Sequence, residues 1–312
     1  MAEHEASARV NAFVRCRRRG YGERMTFNPN ADVGGNTARK RGGGAVAGGV
    51  GVAGLGGLAI LLLQLFTGGD FSSLLGGGGS APQGQETEIA GCETGADANA
   101  NDECRIAATQ LVLDGFWEGQ LEGYRAPKLV IVDRQTSSAC GTASNATGPF
   151  YCPPEESIYI DPTFFGILRQ QFGAEAGPLS QMYVLAHEWG HHIQQITGVM
   201  DRYPSNGTGP ESNGVRTELQ ADCFAGAWVA NASQEKDENG VAFLQEPTEA
   251  QLRDALEAAG TVGDDHIQEQ SGQVNPETWT HGSSEQRQRW FATGYKSGVG
   301  ACDTFRVSGA DL

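Results

Sequence analysis

Apolar side chains recur at helical spacing through most of the C-terminal part of the chain. Asp102 to Leu121 sets Ile106, Leu113, Phe116, Trp117 and Leu121 on a repeating face and predicts a helix. Ser180 to Gly198 predicts another, with Met182, Leu185, Ile193 and Ile196 as apolar positions, Ser180 as cap and Gly198 as stop. Gly214 to Ala232, Thr248 to Gly260 and Ser283 to Lys296 predict three more. A shorter helix runs from Asp161-Pro162 to about Gln171, with Asp as cap and Pro in the first turn. Two apolar runs, Leu129-Val130-Ile131-Val132 and Ser157-Ile158-Tyr159-Ile160, are short enough to be strands. The pattern predicts an α+β domain over residues 102–312, mostly helical with a small sheet.

Upstream the pattern changes. Ala45 to Phe66 contains no charged residue and one strongly polar one, Gln64. As a helix it would span roughly 33 Å, enough to cross a hydrocarbon core. Six glycines, at 48, 49, 51, 54, 56 and 57, weaken its helix propensity. Arg39, Lys40 and Arg41 precede it directly. The expectation is therefore one N-terminal transmembrane helix at 44–66, a basic cytoplasmic segment at 1–43 and an extracytoplasmic body. A cleaved signal peptide, whose apolar region is shorter, and a flexible Gly-rich segment are the rival readings. Residues 67–101, with Gly76 to Gly79, Ser80, Pro82 and many small or acidic residues, read as a linker. Met25-Thr26-Phe27-Asn28-Pro29 reads like a natural beginning, so translation is expected to start at Met25.

Charge sharpens the division. The 312-residue chain carries a formal charge of −16. Residues 1–43 hold nine basic against four acidic side chains, leaving the remainder at −21. So acidic a body argues against nucleic acid as a partner. Of seven cysteines, six follow the apolar run. The short spacings Cys92/Cys104 and Cys140/Cys152 suggest two local disulfides, which leaves Cys223 for Cys302. A cysteine zinc site is the weaker alternative, because no Cys-x-x-Cys occurs.

The chemistry concentrates in His187-Glu188-Trp189-Gly190-His191. Two imidazoles four apart on a helix can reach one zinc ion, with Glu188 beside its open position as general base. A third protein ligand is needed. A histidine six residues beyond His191 is excluded, since that position is Thr197. Glu218 and Asp222, one turn apart on the next strong helix, divide the task instead. Glu218 takes the metal, and Asp222 accepts the outward N–H of a liganding imidazole, most naturally His187. Glu211, in a Pro/Gly-rich loop, is a fallback ligand. His192 points roughly 100° away from His191 and reads as an ordinary polar or half-buried histidine. An oxyanion formed at a peptide carbonyl needs a further donor, and His281 and Arg287 are the candidates. His266 is a weaker competitor, expected to be exposed.

The segments Met25 to Pro29, Gly148-Pro149-Phe150-Tyr151-Cys152-Pro153, His187 to Gln194, Glu218 to Asp222 and His281 to Trp290 together resemble the putative neutral zinc metallopeptidase family of bacteria. More distantly the site resembles the gluzincins, in which the third ligand is a Glu on a following helix. The resemblance implies a zincin-like fold, one catalytic zinc on His187, His191 and Glu218, and a peptide or protein substrate. In some gluzincins a late histidine with an arginine six residues on lies near the substrate, and His281 and Arg287 match that spacing. Gly282 departs from that pattern, which often has proline there. The resemblance also implies that Ser157 to Ile160 is an edge strand on which substrate pairs. The alternatives are a zinc-stabilised, non-catalytic cell-surface module and a zinc amidase acting on cell wall.

Overall fold

A computed structural model describes residues 26–42, 85–205, 207–270 and 272–312. Among the described residues there are seven short strands: β1 (Arg39–Gly42), β2 (Glu86–Glu88), β3 (Lys128–Asp133), β4 (Gln135–Ser138), β5 (Gly141–Ser144), β6 (Phe150–Cys152) and β7 (Ser157–Ile160). The helices are α1 (Gly95–Ala100), α2 (Asp102–Gln120), α3 (Phe164–Gln171), α4 (Pro178–Ile196), α5 (Val199–Arg202), α6 (Asn213–Asn231), α7 (Glu249–Thr261), α8 (Asp264–Glu269) and α9 (Ser284–Ser297). The protein is mixed α+β, with helices dominating.

Five strands form one sheet in the order β2-β1-β3-β7-β6. β1, β3 and β7 run parallel, and β2 and β6 close the two edges antiparallel. The inner strands are apolar on both faces because both are covered. Leu129, Ile131, Ile158 and Ile160 face the helices in the main core. Val130, Val132 and Tyr159 face the opposite way, under Ala143 of the β4–β5 hairpin. Ser157 to Ile160 is therefore not the edge strand; β7 lies between β3 and β6, and the edge is Phe150–Cys152.

The long helices begin and end where local chemistry dictates. Ser212 caps α6 by accepting from Val215 N–H, and Ser283 with Gln286 forms a capping box on α9. Thr248 and Gln251 do the same for α7. Ser180 is not the cap of α4: it is buried inside the helix, which starts at Pro178, and Gly177 donates its N–H to Asp254 Oδ2 at 2.9 Å. α6 and α9 touch backbone to backbone. A Cβ on Gly226 would lie 2.0 Å from the Phe291 carbonyl oxygen, and one on Gly294 would lie 1.8 Å from that of Cys223. Any side chain at either position would force these helices apart.

The disulfides Cys92–Cys104, Cys140–Cys152 and Cys223–Cys302 are all formed. The third spans 79 residues and pins the C-terminal segment to α6. On chain entropy it stabilises by roughly 4–5 kcal/mol, against about 3 for each 12-residue bridge.

Two of the expected boundaries change. The body does not begin at Asp102: Glu86–Glu88 is a sheet edge, α1 carries a Thr94–Asp97 capping box, and Cys92 is bridged into α2. Nor is 1–43 a separate segment throughout. Phe27, Ala31, Val33 and Ala38 are fully buried in the main core, and β1 is an inner strand. Local pattern reading missed β1 because its residues, Arg-Lys-Arg-Gly, are polar, and their partners lie far along the chain. Among the described residues no helix is long and apolar enough to cross a membrane. The run Ala45–Phe66 and Met25 lie outside the described residues.

Candidate metal centre

His187 and His191 lie one turn apart on α4 and turn their Nε2 atoms toward α6. His187 Nε2 is 3.1 Å from Glu218 Oε2, and His191 Nε2 is 3.4 Å from Glu218 Oε1. Among the described residues, only these three side chains form a group of His, Cys, Asp or Glu whose ligand atoms gather within 4.8 Å. The middle of the motif makes this possible. A Cβ on Gly190 would lie 3.0 Å from Ala221 Cα, so a larger residue there would push α6, and Glu218 with it, away from the histidines.

Behind each imidazole stands an acceptor. Asp222 Oδ1 is 2.8 Å from His187 Nδ1. The Asp222 carboxyl is held down at about 2: burial works against ionisation, but Arg287 and His187 outweigh it. An ionised carboxylate can only accept, so Nδ1 carries a proton and Nε2, on the Glu218 side, is the nitrogen left for a metal. Asp222 also accepts from Tyr183 Oη at 2.5 Å and from Arg287 through Nε at 2.8 Å and Nη2 at 3.0 Å. For His191 the acceptor is Gln194 Oε1, 2.9 Å from Nδ1. The Gln194 amide nitrogen donates to the Thr217 carbonyl and to Gln220 Oε1, at 2.7 and 3.1 Å, which fixes Oε1 toward the histidine. Gln194 escaped the sequence reading, although its position three residues after His191 on one helix is a usable signal.

These residues suit a zinc ion. Two neutral imidazoles and one carboxylate are a zinc donor set, and two ligands of a zinc tetrahedron stand about 3.3 Å apart, close to the 3.1 and 3.4 Å found here. Electrostatics point the same way. Burial lowers the His187 imidazole, yet Asp222 and Glu218 overcome this and raise it to about 10. Burial likewise opposes ionisation of Glu218, but His191 and His187 hold it well below the carboxylate range. The pocket is built to keep a positive charge between His187, His191 and Glu218.

Comparison with known proteins bears on this geometry. The model of the putative neutral zinc metallopeptidase family matches residues 23–305. The chain belongs to that family. An uncharacterized Mycobacterium tuberculosis H37Rv protein, Rv2575, is 48% identical over 228 residues, which cover 72% of this chain and 77% of the relative. The uncharacterized protein YpfJ of Escherichia coli K12 is 37% identical over 287 residues, covering 86% of this chain and 94% of that one. No solved structure gives a significant match. Membership in a peptidase family implies a peptide or protein substrate.

The remaining candidates divide. Glu188 is buried on α4, near enough to His191 for its charge to favour the imidazolium. His281 stands just before α9, within electrostatic reach of Glu218. Its Nδ1 lies 3.3 Å from Asp264 Oδ1 and 2.9 Å from Thr280 Oγ1. Asp264, fully buried at the start of α8, also accepts the backbone N–H groups of Thr280, His281 and Gly282 through Oδ2, at 2.8, 2.6 and 2.9 Å. Asp264 was not legible in the sequence because it holds this loop across 16 to 18 residues.

Arg287, a candidate oxyanion donor in the sequence, has its guanidinium engaged within the protein. It is buried, with Nε and Nη2 on Asp222 and Nη1 on the Val262 carbonyl at 3.1 Å, so its guanidinium stands behind His187. His192 is fully buried, with Nε2 2.7 Å from the Arg125 carbonyl and Nδ1 3.1 Å from Tyr151 Oη, tying the zinc-motif helix to edge strand β6. Burial keeps that imidazole below its ordinary value. His266 is half-buried on α8 rather than exposed. Glu211 is exposed and outside the three-residue group.

Proposed function

We propose that the protein is a zinc-dependent endopeptidase of gluzincin-like design, with one catalytic zinc held by His187, His191 and Glu218. The observation that carries this reading is the convergence of two oriented imidazoles on the Glu218 carboxylate, with Glu188 on the same helical turn. A purely structural zinc site closes with four protein ligands; three ligands and an adjacent carboxylate suit a catalytic one.

A zinc ion supplies Lewis acidity that acidifies water and polarises a carbonyl. The chain's own residues do the rest. Glu188 takes the proton of the attacking water on its carboxylate and returns it to the leaving amine. His281, its Nδ1 held by Asp264 and Thr280, is the side chain proposed to stabilise the oxygen that gains charge at the scissile carbonyl. Asp222 and Gln194 keep both liganding imidazoles in one tautomer throughout. Substrate backbone pairs with the outer edge of β6, which among the described residues carries no strand on that side. The tether from His192 to Tyr151 fixes that edge relative to α4.

The reading is tested by chelation and reconstitution with a casein or peptide-library substrate. Removing metal should abolish hydrolysis, and one equivalent of zinc should restore it. Absence of hydrolysis by the fully zinc-loaded protein across the library would refute it.

A further inference from the structure

The residues on either side of the apolar run Ala45–Phe66 are bound to each other. β1 ends at Gly42 and β2 begins at Glu86, and the two pair antiparallel, with Arg41 opposite Glu86 and Arg39 opposite Glu88. The other edge of β1 pairs in parallel with β3, from Arg39 against Val130 to Gly42 against Asp133. Upstream, Phe27 is buried in the main core, its N–H donating to Asn99 Oδ1 at 3.0 Å. Residues 26–42 are thus an integral part of the body that holds the metal centre.

The basic triplet before the run is engaged within that body. Arg39 pairs with Glu88 at 3.7 Å, Lys40 with Glu103 at 2.7 Å, and Arg41 with Glu86. Arg41 also donates to Tyr159 Oη at 3.2 Å. All these partners follow the apolar run in sequence. Positive residues orient a membrane segment through their own charge beside it. Here each charge has a counter-ion that would have to be abandoned before the triplet could stay on the opposite side of a bilayer. Such a separation would also strip β3 of its neighbour and empty the Phe27 site from the core.

We infer that residues 26–42 and the metal centre stand on the same side of any membrane the chain meets. The apolar run then does not divide a cytoplasmic head from an exported body, which replaces the single-pass topology expected from the sequence. Residues 67–85 include Asp70 and are rich in Gly and Ser, so the sequence supplies no second apolar run for a return crossing. Any lipid partner is then met from one side. This holds whether or not the centre is a peptidase.

Cysteine accessibility in the full chain tests it. A Cys16→Ser background leaves six cysteines, all in disulfides. Gly35→Cys reports on the N-terminal segment and Gly119→Cys on the body; both sites are exposed, with no atom within 4 Å of an added Cβ. Spheroplasts making each variant are treated with a membrane-impermeant maleimide before and after detergent. The two sites should behave alike, both reacting in intact spheroplasts or both only after detergent. Reaction of one in intact spheroplasts while the other stays protected until lysis would overturn the inference.

Discussion

Asp222 stands between His187 and Arg287, its Oδ1 2.8 Å from the imidazole Nδ1 and its Oδ2 2.8 Å from the guanidinium Nε. One buried carboxylate therefore holds the Nδ1 proton of a proposed metal ligand and neutralises a buried cation. Asp222→Asn should damage both. Left without its counter-charge, Arg287 should make the variant about 3–5 kcal/mol less stable, as when one partner of a buried ion pair is removed. Zinc affinity should fall by roughly 10–100-fold, the usual effect of losing a carboxylate behind a liganding histidine. Denaturant unfolding and zinc competition against a chromogenic chelator read the two effects separately. A variant with unchanged zinc affinity would show that Asp222 serves the fold alone.

Gln194 gives the milder counterpart. Its Oε1 faces His191 Nδ1 at 2.9 Å, and no charge is involved. Gln194→Ala should weaken zinc binding by about 10-fold, the low end for a residue behind a ligand, with little change in far-UV circular dichroism. Gln194→Glu keeps an acceptor at the same place and should recover most of the affinity. If the Glu variant binds zinc as poorly as the Ala variant, Gln194 does not act by orienting His191.

Behind the motif lies a third chain of contacts. Trp189 Nε1 donates to Tyr124 Oη at 3.0 Å, and Tyr124 donates to Asp114 Oδ1 at 2.6 Å. Burial pushes the Asp114 carboxyl up from 3.8 to about 6, Glu118 adding to the shift while Tyr124 and Gln110 oppose it. Between those values the folded chain holds a proton that the unfolded chain has released. Stability must therefore fall as pH rises through that window, by up to about 3 kcal/mol from this group. Asp114→Asn cannot titrate and should lack this part of the fall. Unfolding free energies of both proteins at pH 4 and pH 7 check it; an equal drop in the variant would assign the pH dependence elsewhere.

How much of this was legible in the sequence depended on distance along the chain. The helices carrying His187, Glu218 and Arg287 were readable because apolar periodicity and capping residues lie within one helix. The spacing of Glu218 and Asp222 already proposed different tasks for them, and Glu218 stands beside both Nε2 atoms while Asp222 stands on His187 Nδ1. Non-local pairing was not readable. Arg39–Gly42 looks like a charged flank, and only pairing with β2 and β3, some 45 and 90 residues on, makes it a strand. The edge fell to Phe150–Cys152 rather than Ser157–Ile160 because sheet order is set by packing, which an apolar tetrapeptide does not encode. The partners of Arg287 were not readable either, since they sit 65 residues upstream on α6 and on the loop after α7.

The central claim is that Glu188 moves protons for a metal centre it does not build. The most direct measurement is the turnover of a peptide library by Glu188→Gln, with zinc per chain determined by elemental analysis on the same sample. The account predicts zinc content equal to that of the unmodified protein and a loss of hydrolysis of at least about 100-fold, as expected for removal of a general base. Full turnover at matched zinc content would contradict it.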